Sequence, residues 1–444
     1  MKKIFNPKSI ALIGASKEEK SVGWGLAKNL LEGEDLRKVF FVNPFQKEIL
    51  GKECYTKIGE IKEKIDLAIV AVPTKIIKEI IKECCDKKVG AIIVVSSGFG
   101  ELGSEGKKLE EEMVAMVREA KIPLIGPNCL GIINPKISLN ASFAPITPKA
   151  GGIAFLSQSG SLLDSIVDKN EIGFSKVVSY GNEADLGLCD FVEYLKDDPE
   201  TNVIAIYLEG MKQGRRFMEL AKEVVKVKPI VAIKSGRSEK GKEAAGTHTG
   251  SLAGDYKVFE TAMKQSGVIV ADSLEELLDI SKALSFLPRC ADGVGIVTNG
   301  GGIGVLAVDY CFDNGITVAE LGKETLASLE KSKALSKVIS KANPLDVIGD
   351  ALSDRFEAGI GAMLKQKDIN ALIVISTPQI MTEHDNNAKI IVEMRDKYPL
   401  KPIVACFIGG SQVSSAIQYL EENGVPNYPD PKRAVKSIKG LIKQ

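Results

Sequence analysis

Short apolar segments alternate with longer amphipathic segments along nearly the whole chain, and this alternation constrains the fold more than any other feature. The first apolar segment, Ile10–Ile13, is separated from the next, Val39–Val42, by a stretch with helical character. Parallel strands require long crossover connections, which are usually helices, so this pattern is typical of parallel sheets. The chain is therefore predicted to have an α/β fold built of βα units.

The apolar segments fall into three groups, which predicts three Rossmann-like or flavodoxin-like parallel-sheet domains. A chain of 444 residues is too long for one hydrophobic core, since about 150 residues per domain is usual. The proline-containing stretch Asn134–Lys149 is the expected linker after the first domain, and a break at Pro288–Gly293 closes the second. We expect domains at residues 1–133, 148–288 and 291–444.

Composition excludes several classes of protein. Lys+Arg and Asp+Glu both number 58, so no net charge favours nucleic acid or a membrane surface as a partner. No apolar run approaches the length of a membrane span, and Asn6–Lys8 interrupts the only segment that resembles a signal sequence. The eight cysteines lack paired CxxC spacing, which indicates reduced thiols in a cytoplasmic protein. Two histidines are too few for a histidine-rich metal site.

One of the two histidines, His248, lies in a segment that cannot build a core. Gly236–Gly254 consists mainly of small, charged and glycine residues. Because glycine tolerates many backbone conformations, this segment is predicted to be a mobile loop that carries one imidazole. Neutral imidazole is a good nucleophile and can hold a phosphoryl group, so His248 is a candidate phosphoryl carrier; an exposed histidine without a role is the alternative. The other histidine, His384, is predicted to be a solvated loop or helix-start residue.

The first predicted strand leads into a turn of small residues that lets a phosphate group approach backbone amides at a helix N-terminus. The GxGxxG spacing of dinucleotide binding is absent, and the second strand ends where an NAD site usually has an acidic residue but this chain has none. These differences disfavour an NAD-dependent dehydrogenase and favour coenzyme A. A structural Rossmann domain without phosphate is the alternative. The predicted coenzyme A contacts are Gly14, Ala15, Ser16, Val22, Gly23, Asn43, Pro44, Val72, Pro73, Ser97 and Gly98.

Two further turns between a strand and a helix are rich in glycine or hydroxyl groups, and each is a predicted anion site. The free amides of a helix N-terminus and the helix dipole both attract a phosphate group. Two opposed helix starts would hold a phosphoryl group between them while His248 attacks it. The predicted phosphate-binding residues are Ser157, Gln158, Ser159 and Gly160 in one turn and Asn299, Gly300, Gly301 and Gly302 in the other.

Glu209 directly follows the apolar segment Val203–Leu208, at the strand end where functional side chains gather in α/β sheets. A carboxylate there can accept an imidazole N–H, fix the tautomer and stabilise the positive charge that forms with a phosphoramidate. Glu209 is therefore predicted to support His248. The alternative is a carboxylate in a surface ion pair.

Taken together, these segments resemble those of a known family over essentially the whole chain. The chain resembles the α subunit of the NDP-forming acyl-CoA synthetases, acetate–CoA ligase (ADP-forming), which are related to succinyl-CoA synthetase. The matching segments are Ala11–Ser16, Val42–Pro44, Gly126–Ile132, Leu156–Gly160, Ser179–Asp185, Tyr207–Gly210, Thr247–Gly250, Thr298–Gly302 and Asn343–Val347.

The resemblance implies a relay of three steps. Phosphate attacks the acyl-CoA thioester to give acyl phosphate and coenzyme A, His248 takes the phosphoryl group and releases the acid, and ADP then becomes ATP. In this family a glutamate at the position of Glu209 supports the histidine. The thiol end of coenzyme A reaches towards Gly126–Cys129, which adds Asn128 and Cys129 to the predicted contacts. Phe45 stands where lysine is frequent, and Lys47 is its predicted replacement.

The resemblance also implies a partner. The nucleotide site of the family belongs to a large ATP-grasp domain, and no stretch after residue 290 is left to form one. We therefore expect a separate ATP-grasp β subunit that supplies the ADP/ATP and Mg²⁺ site, in an α2β2 assembly. A non-catalytic CoA-sensing or regulatory module is the alternative, which the presence of His248 and Glu209 disfavours.

Overall fold

The computed structural model describes residues 1–243, 255–336, 338 and 341–443. The chain divides into two compact units, Met1–Ala271 and Asp272–Gln444. The first unit contains two seven-stranded sheets and the second unit a four-stranded sheet. The predicted α/β class with mostly parallel sheets is confirmed.

The first sheet has the strand order of doubly wound nucleotide-binding folds. Its spatial order is β3-β4-β2-β1-β5-β6-β7, and only the edge strand β3 is antiparallel to its neighbour. When the six parallel strands are numbered 1 to 6 along the chain, leaving out β3, their spatial order is 3-2-1-4-5-6. This order reverses between β1 and β5. Its strands are β1 (Ser9–Ile13), β2 (Lys38–Val42), β3 (Glu48–Ile49), β4 (Lys52–Tyr55), β5 (Leu67–Val70), β6 (Ile92–Val94) and β7 (Leu124–Ile125). Its helices are Lys2–Phe5, Val22–Leu31, Ile77–Asp86 and Ser104–Glu119.

The second sheet has a flavodoxin-like core. The spatial order is β14-β13-β12-β10-β11-β8-β9. When its five parallel strands, β10 to β14, are numbered 1 to 5 along the chain, their order is 2-1-3-4-5, and this order reverses between β10 and β12. Its strands are β8 (Gly131–Asn134), β9 (Leu139–Ser142), β10 (Ala150–Ser157), β11 (Phe174–Ser179), β12 (Val203–Leu208), β13 (Ile230–Lys234) and β14 (Ile269–Val270). The helices described for it are Gly160–Lys169, Leu188–Lys196, Gly214–Val224 and Tyr256–Gln265.

The prediction that Asn134–Lys149 is a linker is wrong for Asn134 and for Leu139–Ser142, which belong to the two strands of a hairpin. Strands β8 and β9 pair with each other, and β8 pairs antiparallel with β11, so the hairpin forms one edge of the second sheet. Every residue of both strands is buried. The prolines suggested a loop, but burial of the apolar residues that flank them favours a paired strand.

The second unit contains a third parallel sheet. Its spatial order is β16-β15-β17-β18, and the order reverses between β15 and β17. Every residue of β15, β17 and β18 is buried, which explains why these strands read as continuous apolar runs. The strands are β15 (Val294–Thr298), β16 (Leu345–Asp346), β17 (Ala371–Ser376) and β18 (Ile403–Phe407). The helices described are Leu274–Phe286, Gly301–Asp313, Lys323–Lys331, Ser353–Lys365, His384–Lys397, Ser414–Glu422 and Pro431–Leu441.

Two global features bear on the environment of the protein. Within the described ranges, no helix has both the length and the apolar character that a bilayer crossing demands. All eight cysteines are free thiols.

We predict that Asn29→Ala destabilises the first unit. The buried Asn29 side chain, on the helix Val22–Leu31, donates to the carbonyl oxygens of Ser142 at 2.9 Å and Ala144 at 2.8 Å. Removing it leaves two buried acceptors without a donor, which should cost about 2 kcal/mol. Urea unfolding measures this free energy. Lys28→Ala, on the exposed face of the same helix, should change it by less than about 0.5 kcal/mol; equal effects of the two substitutions would contradict the prediction.

Candidate active site

A cavity of about 570 Å³ lies at the carboxyl edge of the first sheet, within the first unit. It adjoins the point between β1 and β5 where the strand order reverses, and Ala71 and Val72, which follow β5, line it. Ligands of open α/β sheets bind at such switch points. The structure brings together here residues predicted for two different ligands. Those predicted for coenzyme A are Val22, Val72, Pro73, Ser97, Asn128 and Cys129, and those predicted for phosphate are Gln158, Ser159 and Gly160.

The connection between β1 and the following helix is compact because glycine occupies one position in the turn, Gly14, and the second position of the helix, Gly23. Gly14 has a φ of +91°, and a Cβ on it would lie 2.1 Å from the carbonyl oxygen of Ala71. A Cβ on Gly23 would lie 2.2 Å from the carbonyl oxygen of Gly14. The helix that begins at Val22 can therefore start directly beside the cavity.

The remaining predicted coenzyme A contacts do not line this cavity. Asn43 illustrates why, because its side chain donates to the carbonyl oxygen of Ala15 at 2.8 Å and accepts from the amide of Phe45 at 2.9 Å. It thus joins the ends of β1 and β2. The residues outside the lining are Gly14, Ala15, Ser16, Gly23, Asn43, Pro44, Lys47 and Gly98.

Cys129 lines the cavity as a neutral thiol. Its Sγ donates to the carbonyl oxygen of Val94 at 3.3 Å. Burial raises the pKa of the Cys129 thiol to about 12. A thiol with this pKa is not a nucleophile at neutral pH, so Cys129 contributes shape and a weak donor rather than covalent chemistry.

A loop from the second sheet supports the Gly126–Cys129 segment. Gly181 has a φ of +54°, and a Cβ there would lie 2.3 Å from the carbonyl oxygen of Pro127. The amide of Asn182 donates to the same oxygen at 2.9 Å, and its side-chain oxygen accepts from Asn128 at 3.2 Å. This contact gives the Ser179–Asp185 segment, recognised in the sequence only by resemblance, a physical role in holding one wall of the cavity.

The turn after β10 bears the predicted phosphate-binding residues and is held by its own hydroxyl groups. Ser157 Oγ donates to the carbonyl oxygen of Ser159 at 2.7 Å and accepts from the amide of Ser159 at 3.1 Å. Ser159 Oγ caps the helix Gly160–Lys169 by accepting from the amide of Leu162 at 3.4 Å. The start of this helix is therefore fixed beside the cavity.

Gln158 crosses the point between β10 and β12 where the order of the second sheet reverses. Its Oε1 accepts from the amides of Glu209 at 2.5 Å and Gly210 at 3.0 Å. Glu209 is buried at the end of β12. Burial raises the pKa of the neighbouring Tyr207, a hydrogen bond with Ser235 lowers it, and the Glu209 carboxylate raises it. The structure therefore places the predicted supporting carboxylate next to the phosphate turn.

His248 and Thr247 lie outside the described residues. The predicted pair consists of the His248 imidazole and the Glu209 carboxylate, and of these two residues the structure describes Glu209.

The second glycine-rich turn repeats this local design in the other unit. Thr298 Oγ1 donates to the carbonyl oxygen of Gly300 at 3.1 Å and accepts from its amide at 3.0 Å. Asn299 crosses from β15 to β17, donating to the carbonyl oxygen of Thr377 at 3.1 Å and to Gln379 at 2.7 Å. The Asn299 amide group is thus used to hold the turn against the segment after β17, whereas a Cβ on Gly302 would meet no atom within 4 Å. Gly301 would place its Cβ 2.5 Å from a carboxylate oxygen of Asp346.

The prediction that His384 is solvated is wrong, although it does begin a helix. His384 is 7% exposed, and its Nδ1 lies 3.0 Å from Ser376 Oγ. Its ring packs beside that of Phe407, with 5.9 Å between centroids. Burial lowers the pKa of His384, so the neutral ring is part of the core.

The sequence did not indicate several residues that line the cavity. Most are apolar or small, and they belong to strand ends and to the unexpected hairpin, so no motif marks them. The strand order alone predicts that residues just after β5 and β6 face a ligand. These residues are Ala71, Val95, Leu130 and Phe143.

We predict that Gln158→Leu loosens the end of β12. Leucine has a similar volume but no acceptor, so the amides of Glu209 and Gly210 lose their partner. The free energy of unfolding should fall by about 1–3 kcal/mol. Gln158→Glu keeps an acceptor oxygen and should remain closer to the unsubstituted protein. Chemical denaturation of the three proteins measures the difference, and a leucine variant as stable as the parent would exclude this role.

Comparison with known protein families agrees with the geometry. Three family models match in succession: a CoA binding domain at residues 8–135, a succinyl-CoA ligase like flavodoxin domain at residues 150–284, and a Ligase-CoA domain at residues 294–441. A structure of an acetyl-coenzyme A synthetase from Ca. Korarchaeum cryptofilum, in complex with phosphate and ADP, has 36% identity and a TM-score of 0.92. The match covers 99% of this chain and 96% of that one.

Curated relatives give the same result. The α subunit of acetate–CoA ligase (ADP-forming) II from Pyrococcus furiosus is 40% identical over 99% of this chain and 97% of its own length. Acetate–CoA ligase (ADP-forming) I from Archaeoglobus fulgidus is 42% identical over 99% of this chain, and the match spans 63% of that longer protein. The chain therefore belongs to the family of the ADP-forming acetate–CoA ligase α subunits, within the succinyl-CoA ligase-like group.

Proposed function

We propose that the chain is the catalytic α subunit of an ADP-forming acyl-CoA synthetase, which catalyses acyl-CoA + ADP + phosphate ⇌ acid + ATP + CoA. The observation that carries this proposal is that one cavity is lined both by residues predicted for coenzyme A and by the turn predicted for phosphate. A thioester and a phosphate ion must meet for the first step, and this cavity offers both surfaces within one unit. The names of the relatives support the same reaction.

The relay begins with attack of a phosphate oxygen on the thioester carbonyl. The carbon–sulfur bond breaks, coenzyme A leaves as the thiol, and an acyl phosphate forms. An imidazole nitrogen of His248 then attacks phosphorus, the bond to the acyl oxygen breaks, and the carboxylate leaves. ADP finally takes the phosphoryl group from the histidine to give ATP. Each step transfers a group between carriers of high transfer potential, so the relay runs in either direction.

The described residues have distinct roles in this proposal. The helix start at Ser159 and Gly160 binds the phosphate through amides and the helix dipole. Glu209 holds the other nitrogen of His248 and stabilises the positive charge of the phosphorylated ring. Asn128 and Cys129, held by the Asn182 loop, contact the thiol end of coenzyme A. Gly300, Gly301 and Gly302 form a second phosphate-binding turn, which the side chain of Asn299 holds in place.

A partner completes the enzyme in this proposal. An ATP-grasp β subunit supplies the nucleotide and Mg²⁺ site, in a cytoplasmic α2β2 assembly, and Mg²⁺ neutralises the nucleotide phosphates there. The relatives named as α subunits support the existence of a partner. We assign residues 1–133 to coenzyme A binding, 148–288 to the histidine and phosphate site, and 291–444 to the ligase domain.

We predict a preference for acyl groups without a second charge. Among the described residues that line the cavity, none is Lys, Arg or His. A succinyl group would bury a carboxylate there without a counter-charge, which is costly. Phosphate-dependent release of coenzyme A should therefore have a kcat/KM at least about tenfold higher for acetyl-CoA than for succinyl-CoA. A thiol assay with both substrates measures the ratio, and a ratio of one or below would contradict it.

We predict that labelled acetyl phosphate phosphorylates His248. The full chain incubated with acetyl [³²P]phosphate should acquire label that is acid-labile and base-stable, as expected of phosphohistidine. His248→Ala should abolish the label, and Glu209→Gln should reduce its yield at least about tenfold because the imidazolium loses its counter-charge.

His384→Asn is the matched control, since it removes the other histidine and should leave the label unchanged. Absence of label in the unsubstituted chain, with coenzyme A still bound, would instead favour a CoA-sensing module. Label retained in His248→Ala would refute the assignment of the carrier.

A further inference from the structure

Lys234 is a buried lysine to which the proposed relay gives no role. It is the last residue of β13 and is 7% exposed. Its ammonium donates to the carbonyl oxygen of Ser235 at 2.8 Å, and no carboxylate in the described part of the chain lies within ion-pair distance of it. Burial lowers the pKa of Lys234, and the nearby Lys242 lowers it further. Among the described residues, the three donors of this buried ammonium therefore have one acceptor.

Two other lysines near the same sheet, the buried Lys176 and the half-buried Lys228, are better satisfied. Lys176, 2% exposed, lies 2.6 Å from a carboxylate oxygen of Glu200 and 3.3 Å from one of Asp198. Lys228, which precedes β13 at its opposite end, donates to the carbonyl oxygens of Leu195, at 2.7 Å, and Asp198. Among the described residues, Lys234 has neither the carboxylate partners of Lys176 nor the second carbonyl acceptor of Lys228. A buried charge of this kind usually has a partner, which here has to come from outside the described protein groups.

The position of Lys234 indicates which kind of partner. In the register of the second sheet, Lys234 pairs with Leu208, the residue before Glu209, and Ser157 pairs with Tyr207. Adjacent strands lie about 4.8 Å apart, so the phosphate turn, Glu209 and Lys234 occupy three consecutive strand ends on the ligand-binding edge. The amide of Ser235 donates to the carbonyl oxygen of Leu208 at 2.9 Å, which holds the ends of β12 and β13 together.

We propose that the Lys234 ammonium binds a phosphate oxygen and forms a cationic anion site at the carboxyl edge of β13. The inference rests on the proposed function, which brings phosphate to this edge of the sheet. An ammonium binds phosphate as a compact point charge, and an ion pair in a site of low dielectric offsets the desolvation of the lysine. The phosphate oxygen belongs either to free phosphate or to the phosphoryl group on His248. Both have the same chemistry.

Binding of inorganic phosphate to the full chain tests whether the ligand of Lys234 is free phosphate. In isothermal titration, Lys234→Met should weaken phosphate binding at least about tenfold, whereas Lys234→Arg, which keeps the charge, should stay within about threefold. Lys228→Met is the matched control and should leave the phosphate Kd unchanged. The Kd of coenzyme A should be unchanged in all three variants, which reports an intact cavity.

Labelling with acetyl [³²P]phosphate tests whether the ligand is the phosphoryl group on His248. If Lys234→Met leaves the phosphate Kd unchanged but lowers the yield of phosphohistidine at least about tenfold, the ligand is the phosphoryl group on His248. If neither phosphate affinity nor label changes, the proposal is overturned. Failure of the unsubstituted chain to bind phosphate and to acquire label would overturn the proposed function itself, which is a separate result.

A measurement on the unsubstituted chain makes the test independent of how the variants fold. Acetic anhydride acetylates neutral lysine amines, and mass spectrometry of peptides gives the rate at each lysine. Saturating phosphate should slow acetylation of Lys234 at least about fivefold and leave that of Lys228 unchanged. Equal rates at Lys234 without ligand, with phosphate and with acetyl phosphate would contradict the proposal.

Discussion

The ligand-binding edge of each sheet depends on the contacts that cross the sheet where its strand order reverses. In the first sheet, Gly14 lies so close to Ala71 that only a glycine fits. In the second, Gln158 binds the amides at the end of β12, and in the third, Asn299 binds the segment after β17. At such a point the two neighbouring connections leave towards opposite faces, so backbone groups at the strand ends lack the partners a continuing sheet would supply. Side-chain amides or close backbone contacts satisfy them, and the helix starts beside them remain directed towards a ligand.

Sequence reasoning was sufficient wherever burial is uniform. Strands such as Val203–Leu208 and Val294–Thr298 are buried at almost every position, so they read as continuous apolar runs with the observed bounds. The turns at Ser157 and Gly300 were recognisable because their chemistry is local to a few consecutive residues. Local signals of this kind survive in a sequence without knowledge of the tertiary structure.

Features that depend on contacts distant in the chain were not predictable. The support that Gly181 gives to Pro127 requires a positive φ and a particular packing partner, and neither has a local signal. His384 looked solvated because polar residues surround it in the sequence, yet its ring packs with Phe407 from another strand. Asn299 was predicted to bind phosphate, but its amide is used by Thr377, which is distant in the chain. The lack of a carboxylate partner for Lys234 among the described residues likewise became visible only once its neighbours were known.

The β8–β9 hairpin links the first two domains, because it belongs to the second sheet and also helps to form the cavity at the first sheet. Its first strand lies inside the stretch that matches the CoA binding domain, and its second strand lies between that stretch and the flavodoxin-like match. Both strands nevertheless belong to the second sheet, and Phe143, just after them, forms part of the cavity wall. A fragment cut at the family boundary would expose an unpaired sheet edge on one side and an open pocket on the other. Recombination that exchanges one module for that of a relative would have to carry this connecting segment as well, so the two modules are expected to be inherited as one evolutionary block.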